Sequence, residues 1–470
     1  MTLKKGTEIM LRIESAAYEG KCVGKLDGLT VFVGGAAPGD LVRAQITRKK
    51  SSFAEARLIE ILEPGPNRII PKCSHAAHCG GCTWQHVSYD EQARFKRIHV
   101  RDHLHRIGKQ VHLDPLPTLT SERQFHYRNK MEYTFSDMRW LTPEEINSGA
   151  EIDRHGVALG LHVPGRYDKI LDLKECYLQD PVSFSILDWM RKFAVQHDIE
   201  PWNTHKREGY LRNLMIRNAY HTKDLMVNVV TYLDDPMTME LITNALIEAF
   251  PQMTTVVNNI NDTFSPTSVG RYEKVYFGPG YITEFIGRYS YHIDANAFFQ
   301  TNTPQAEALY GVAREFADIQ PGDIVYDLYC GVGSLSLFVS ENASKVVGIE
   351  INEVSIKNAE ANRDRNGVKH CFFEQGDMRD VFTRTIIEKH GRPNVIITDP
   401  PRAGMHEDVV RHINELRVDK LVYVSCNSAT LSRDIEILSE VYELIAVQPV
   451  DMFPQTYHIE SVALLRLKKL

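Results

Sequence analysis

Residues 323–351 read DIVYDLYCGVGSLSLFVSENASKVVGIEI. A short apolar run closes on a glycine loop, the loop opens a helix-like stretch, and a second apolar run ends on Glu350. Apolar runs of this length bounded by turn residues read as buried strands, and strand–helix–strand units at this spacing build a parallel sheet. The alternation continues downstream, with helices expected over 352–365, from Arg379, and over 406–416 and 429–440. Strands are expected over 370–377, 394–401 and 420–427, and a closing pair over 442–450 and 460–469. A helix over 304–319 leads in. From residue 300 onward the expected fold is therefore α/β, a Rossmann-like doubly wound sheet whose ligands bind beyond the carboxyl ends of the strands.

Upstream the rhythm differs. Residues 1–62 alternate short apolar stretches (IMLRIE, GLTVFVGG, DLVRAQITRKK, EARLIEILE) with turn signals, which predicts a small antiparallel, OB-like barrel. Such barrels often bind oligonucleotides, although any small β-domain fits the same pattern. Residues 63–110 hold a proline-rich linker, EPGPNRIIPK, then a cysteine segment and a helix. That helix, DEQARFKRIHVRDHLHRIGK, sets Phe95, Ile98, Leu104 and Ile107 on one face and Arg94, Lys96, Arg97, Arg101, Arg106 and Lys109 on the other. Residues 111–299 mix strand and helix patterns without a repeat and read as a central α+β domain.

With 470 residues, 43% apolar and 24% charged, the chain is long enough for about three domains and too apolar to be disordered. No apolar run approaches the ~18 residues of a membrane span, and MTLKKGTEIM has no signal-peptide core, so a cytoplasmic protein with no membrane partner is expected. The net charge of −7 argues against a generally basic nucleic-acid binder. It hides an asymmetry: residues 1–140 carry 22 Lys and Arg against 15 Asp and Glu, which makes the front third the polyanion-facing part. No obligate protein partner is evident. Of the eight cysteines, Cys73, Cys79 and Cys82 cluster as C-x5-C-G-G-C, a spacing that suits metal ligation in a cytosolic chain more than disulfides.

The glycine loop carries the first chemical signal. Gly331 and Gly333 let the backbone approach a ligand, and Glu350, nineteen residues beyond Gly331, is placed to accept from both ribose hydroxyls of a nucleoside. The third glycine of a dinucleotide loop is absent and so is a Walker lysine, which disfavours NAD and ATP and leaves S-adenosylmethionine. In methyltransferases of this architecture an Asp-Pro-Pro at the fourth strand's end sits where the methyl group is transferred, and here residues 399–402 read DPPR. The next strand ends in SCNSAT with Cys426, and HIE places Glu460 at the start of the last strand. A cysteine at a strand end is usually a buried hydrophobe and a terminal glutamate usually solvated. Together at the sheet's working edge they suggest a nucleophile and a general base.

FFQTN, DLYCGVGS, DPPR, SCNSAT and HIE, in this order, resemble the motifs of the RNA 5-methyluridine (uracil-C5) methyltransferases. CSHAAHCGGCTWQHVSYDEQARFK is similar to that family's iron-sulfur segment, and residues 1–62 are similar to its TRAM barrel. The resemblance implies a class I methyltransferase domain over 300–470 and methylation of uridine carbon 5. Cys426 would add to carbon 6, turning carbon 5 into an enolate carbon able to attack a methyl group, and Glu460 would take the carbon 5 proton. It further implies that Gln300, Tyr329, Glu350 and Asp399 hold S-adenosylmethionine, with Asp377 near the adenine. Cys176 would complete a [4Fe-4S] site with Cys73, Cys79 and Cys82; a zinc site completed by His75, His78 or His86 is the alternative.

The barrel and cysteine cluster together resemble the 23S ribosomal RNA enzymes more than the transfer-RNA enzymes. A transfer-RNA enzyme and a non-catalytic iron-sulfur RNA-binding protein remain alternatives. RNA is the expected partner, with Arg43, Arg48, Lys49 and Lys50 as candidate phosphate contacts or a solvated charge run, and Arg128, Lys130, Arg212 and Arg217 as candidate phosphate contacts or structural salt bridges. One departure stands out: Ser428 occupies the position where SCNPxT has proline, which predicts a less rigid turn after Cys426.

Overall fold

A computed structural model of the chain describes residues 3–265, 267–382 and 384–469. They fall into two compact units, one within Met1–Lys72, Cys82–Gln124 and Glu307–Leu470, the other within Cys73–Gly81 and Phe125–Ala306.

In the first unit, β1 (Glu8–Arg12), β2 (Ser15–Ala16), β3 (Cys22–Leu26), β4 (Leu29–Gly34), β5 (Leu41–Lys49) and β6 (Phe53–Glu63) form a sheet in the order β1-β5-β6-β4-β3-β2. All pairings are antiparallel except β4 with β6, a departure from the fully antiparallel expectation. Alternation sends Leu11, Val31, Val33, Val42, Ala44 and Ile46 into one core. The proline-rich stretch that follows is locked rather than loose. Arg68 pairs with the fully buried Asp40 at 2.7 Å, and Asp40 also accepts from the Gly65 and Ala37 amides. Those donors hold the Asp40 carboxyl below its usual range despite burial.

Helix α1 (Tyr89–Arg106) follows Ser88, with Asp90 and Glu91 in its first turn and His103, His105 and Arg106 in its last, matching the helix dipole at both ends. Val100 and Leu104 join the same apolar cluster as Leu421, Leu431 and Ile435 from the C-terminal sheet, so α1 packs as part of that core.

The second unit builds a seven-stranded sheet from β7 (Lys130–Met138), β8 (His155–Val163), β9 (Arg166–Asp172), β10 (Leu211–Asn218), β11 (Leu225–Thr231), β12 (Thr255–Ile260) and β13 (Tyr272–Phe277), in the order β13-β12-β11-β10-β7-β8-β9. Its helices are α2 (Pro143–Asn147), α3 (Pro181–Gln196) and α4 (Pro236–Ala249), and a hairpin of β14 (Tyr281–Ile286) and β15 (Tyr289–Asp294) follows. Helices α3 and α4 start alike, an Asp side chain capping the first amides and a proline in the first turn. This is the expected α+β arrangement, with β9 and α2 added.

The chain then runs through α5 (Thr303–Ala317), β16 (Ile324–Leu328), α6 (Ser334–Val339), β17 (Lys345–Glu350), α7 (Glu353–Arg365), β18 (Cys371–Gln375), α8 (Met378–Val381) and α9 (Arg384–His390). It ends with β19 (Val395–Thr398), α10 (Glu407–Leu416), β20 (Lys420–Ser425), α11 (Ser428–Leu438), β21 (Tyr442–Val450) and β22 (Glu460–Leu467). The sheet order is β18-β17-β16-β19-β20-β22-β21, with β22 antiparallel to both neighbours and every other pairing parallel. This is the class I methyltransferase fold. Strand order reverses between β16 and β19, and that switch point opens a crevice at the carboxyl ends of the strands. Among the described residues no helix is long and apolar enough to cross a membrane.

Candidate active site

The glycine loop leaves β16 through Tyr329, which adopts a left-handed φ of 66° that an L side chain disfavours by about 1–2 kcal/mol. Such strain concentrates where geometry serves a ligand. The Cys330 amide still bonds to the Ile349 carbonyl at 3.0 Å, so the ladder to β17 extends to the loop's first residue. Gly331 and Gly333 both have positive φ, 54° and 75°, but for different reasons. A side chain on Gly333 would meet the Phe373 ring at 2.8 Å, whereas one on Gly331 would project into open space with no atom within 4 Å. Gly333 is required by packing, and Gly331 leaves a bare backbone cradle.

Glu350 closes that cradle. One carboxylate oxygen accepts from the Gly331 amide at 3.2 Å and the other from the Asn352 amide at 2.9 Å. Beneath the loop, Asp327 is 1% exposed, and its Oδ2 accepts from Ser336 while its Oδ1 has no partner. Burial pushes its carboxyl up to about 7. Asp327 was missed from sequence, although a carboxylate inside the apolar run IVYDLY is a detectable anomaly. The open cradle, the held Glu350 and the orphaned Asp327 oxygen are donor and acceptor features that fit a nucleoside cofactor.

Across the switch point, the Asp399 amide donates to the Leu328 carbonyl at 3.2 Å, which sets residues 399–402 against the glycine-loop strand. Burial, with Asp327 adding repulsion, pushes the Asp399 carboxyl up to about 7. The loop is fastened on its far side. The Arg402 carbonyl accepts from Asn427 Nδ2 at 3.1 Å and from Thr430 Oγ1 at 3.3 Å, and the Met405 amide donates to Asp434, which also accepts from Tyr423 at 2.6 Å.

Register brings the two reactive candidates together. β20 and β22 pair antiparallel up to Ser425 opposite Ser461, so Cys426, the residue after β20, and Glu460, the first residue of β22 and 34 residues later in the chain, flank the same end of this pairing. Glu460 is 6% exposed, and its carboxyl makes no hydrogen bond among the described residues. Burial holds its pKa well above the carboxylate range, Asp399 adds to the shift, and Arg402 opposes it. Burial likewise pushes the Cys426 thiol up to about 11, reinforced by Glu460 and Asp399 and opposed by Arg402. Burial thus shifts both groups toward keeping their protons, and Arg402 is the cation that favours losing them.

The turn after Cys426 is rigid despite lacking proline. Asn427 caps α11 by accepting from the Ala429 amide at 3.1 Å, and Ser428, the helix's first residue, hydrogen-bonds His103 Nδ1 of α1 at 2.8 Å. A proline would suit that first position but could not make this bond.

Gln300 lies in the other unit. Its carbonyl accepts from Asn129 Nδ2 at 2.8 Å, and the same amide reaches Thr303 Oγ1, which in turn donates to the buried Glu284 at 3.0 Å. Asp377 caps α8 and is paired with Arg379. Cys73, Cys79 and Cys176 lie together in the second unit, close enough that charge on one would raise the next. Burial pushes Cys73 up to about 11 and Cys79 up to about 12 and raises Cys176 as well, while the Gly81 amide donates to Cys79 Sγ at 3.4 Å and the Leu178 and Gln179 amides partly offset the rise at Cys176. Cys82 falls just past the unit boundary. Among the described residues no group of three or more His, Cys, Asp or Glu is arranged to hold a metal ion. The histidines proposed for zinc are engaged: His75 accepts from the Lys174 amide, His78 pairs with Glu144, and His86 bonds the Ala36 carbonyl.

Several basic side chains singled out from the sequence have partners within the protein, and Lys96, Arg212 and Arg217 are buried. Lys96 is fully buried in an ion pair with Asp451 at 2.6 Å, and its Nζ also donates to the Phe453 carbonyl. Arg94 pairs with Glu91, and Arg101 and Arg106 both with Asp102. Arg212 is buried, donating to the carbonyls of Asn261, Thr263 and Ser265, and buried Arg217 donates to those of Ala295 and Ala297.

The family model for tRNA (uracil-5-)-methyltransferases matches residues 211–468, and that for the TRAM domain matches residues 3–59. An uncharacterized RNA methyltransferase of Bacteroides thetaiotaomicron is 43% identical over 96% of this chain and 100% of its own length. One of Chlorobaculum tepidum is 43% identical over 98% and 96%. The crystal structure of the Pyrococcus abyssi tRNA (uracil-54, C5)-methyltransferase in complex with S-adenosyl-L-homocysteine superposes with a TM-score of 0.76 and 26% identity, covering 97% of this chain and 100% of that one. With a family match over more than half its length and relatives alike from end to end, this chain belongs to the tRNA (uracil-5-)-methyltransferase family.

Proposed function

We propose that this protein methylates carbon 5 of a uridine in RNA, 23S ribosomal RNA foremost, in the cytoplasm, using S-adenosylmethionine. The observation that supports the reading is that Cys426, just past the last β20–β22 rung of Ser425 with Ser461, and Glu460, just before it, interact electrostatically with each other and with Asp399 and Arg402. Glu350, Tyr329, Asp399 and Gln300 would hold the cofactor, which supplies an electrophilic methyl group. Cys426 passes its thiol proton to solvent as its sulfur bonds to uracil carbon 6, and the carbon 5–carbon 6 π electrons move into the enolate that makes carbon 5 nucleophilic. After carbon 5 has gained the methyl group, Glu460, as carboxylate, takes its remaining proton, and the sulfur leaves as carbon 5 and carbon 6 regain their double bond. Burial favours the protonated form of Glu460, so a proton it carries must pass to solvent before it can act as the base. Arg402 eases both losses.

The target base must leave its stack for a sulfur to approach carbon 6, at a cost of a few kcal/mol that barrel contacts to RNA would offset. Cys73, Cys79, Cys82 and Cys176 are assigned to a [4Fe-4S] cluster with a stapling role. The proximity of Cys73, Cys79 and Cys176 and the amides around their sulfurs support that assignment. A transfer-RNA substrate is the second reading. The Pyrococcus abyssi transfer-RNA enzyme matches 97% of this chain, barrel included, so the barrel does not by itself separate the two.

The test is trapping on unmodified 23S and transfer-RNA transcripts. Glu460→Gln should accumulate a protein–RNA adduct stable on denaturing gels, on the RNA that accepts methyl groups, and Cys426→Ala should form none. Equal turnover of Cys426→Ala and the native enzyme refutes the nucleophile.

A further inference from the structure

The connection between β2 and β3 carries a single helical turn, Tyr18–Gly20, that is built rather than loose. Glu19 holds a left-handed φ of 67°, and the Gly20 carbonyl accepts from the indole of the fully buried Trp84 at 3.1 Å. A side chain on Gly20 would meet the Tyr457 ring at 3.1 Å. This turn delivers Tyr18 from the barrel to the catalytic face. Its hydroxyl donates to Asn427 Oδ1 at 3.4 Å, on the residue next to Cys426. Its ring meets His103 edge-on at 4.9 Å between centroids and Tyr457 at 6.1 Å. Tyr457 in turn lies 4.2 Å from His458, with ring planes 35° apart, and Arg402 Nη2 donates to His458 Nδ1 at 3.0 Å.

With all these contacts Tyr18 still exposes 36% of its surface. Burial raises its hydroxyl pKa, with Tyr457 adding and Cys426 contributing, which agrees with the position beside the nucleophile. A partly exposed aromatic group next to a guanidinium, one residue from the reactive sulfur, matches the chemistry of an unpaired nucleobase: a π-face to stack on and a cation for the adjoining phosphate.

Resting on the RNA reading above, we propose that Tyr18, Tyr457 and His458 form a stacking platform for the base next to the target uridine, with Arg402 beside it, so that the barrel helps to select the modified nucleotide. The sequence reading assigned the barrel phosphate contacts only; here it supplies a base contact at the reaction centre.

The experiment first identifies which unmodified transcript, 23S or transfer RNA, the native enzyme methylates, and maps the uridine by mass spectrometry. If neither accepts methyl groups, the RNA reading fails and this proposal with it. If one does, Tyr18→Leu should raise KM for that transcript about tenfold or more, by more than it lowers kcat, while Tyr18→Phe stays near the native value. Thermal stability and S-adenosylmethionine affinity of Tyr18→Leu serve as controls for folding. In parallel, 2-aminopurine placed on either side of the mapped uridine should be quenched by the native enzyme and recover its emission with Tyr18→Leu. An unchanged KM in Tyr18→Leu overturns the proposal. So does absence of quenching at both flanking positions with the native enzyme, which decides the matter even if Tyr18→Leu fails to fold.

Discussion

Alkylation of Cys426 offers a direct measure of how its site is poised. Burial, Glu460 and Asp399 push this thiol from 9.0 up to about 11, so at any pH well below both values its thiolate fraction is about a hundredfold smaller than that of an unperturbed thiol. Its reaction with iodoacetamide, followed by peptide mass spectrometry to separate it from the other cysteines, should therefore climb about tenfold per pH unit from 7 to 10 without levelling. Arg402 opposes the rise, so Arg402→Met should slow alkylation at every pH in that range and shift methylation to higher pH. Glu460→Gln removes a repelling charge wherever Glu460 is ionised and should speed alkylation there. A plateau below pH 8.5 would refute the reasoning, because it would mean that the site ionises its nucleophile in advance.

Further consequences can be checked on the same protein. Asp327, pushed up to about 7, keeps its proton longer folded than unfolded; stability therefore falls between about pH 4 and 7, by about 1.4 kcal/mol per unit, and levels off above. Asp327→Asn should lose that slope in urea titrations, gaining on the native protein at pH 8 and not at pH 4, and an unaltered slope sinks the assignment. Lys96→Met strands a buried carboxylate and should cost about 3–5 kcal/mol in denaturant unfolding, with Lys96→Met/Asp451→Leu milder than either single change. Gly333→Ala should cost about 2–4 kcal/mol through Phe373 and the positive φ, whereas Gly331→Ala should keep most of the stability and weaken S-adenosylmethionine binding at least tenfold by calorimetry. Cys79→Ser should abolish brown iron-sulfur absorption and solubility together; a colourless native protein, purified without oxygen, would refute the cluster.

Local pattern carried most of the C-terminal sheet, because its central strands β16, β17, β19 and β20 are short apolar runs that are mostly buried, and helices such as α7, α10 and α11 carry their own side-chain N-caps. Cys426 and Glu460 could be linked from sequence only by their strand-end positions and the motif resemblance, since the register that brings Ser425 opposite Ser461 leaves no local trace. Lys96 shows the opposite failure. On a helical wheel it belongs to a basic face, yet its partner Asp451 lies 355 residues away, and no pattern within the helix could reveal it. Strand β9, RYDKILD, sits at a sheet edge with charges in its first half and so lacks the apolar signature of a buried strand. Tyr18 is a single aromatic in a turn, given meaning only by what the turn is fastened to.

The burial of Lys96 against Asp451 also bears on how the chain is made. During translation at ~5–20 residues per second, α1 leaves the ribosome roughly 18–70 s before the carboxylate that neutralises it has been synthesised, because the two are 355 residues apart. For that interval the nascent chain carries an amphipathic helix whose apolar side, Val100 and Leu104, has no sheet to cover it. Burial of this helix therefore waits on the last strands, which ties completion of the unit's core to synthesis of its C-terminal residues.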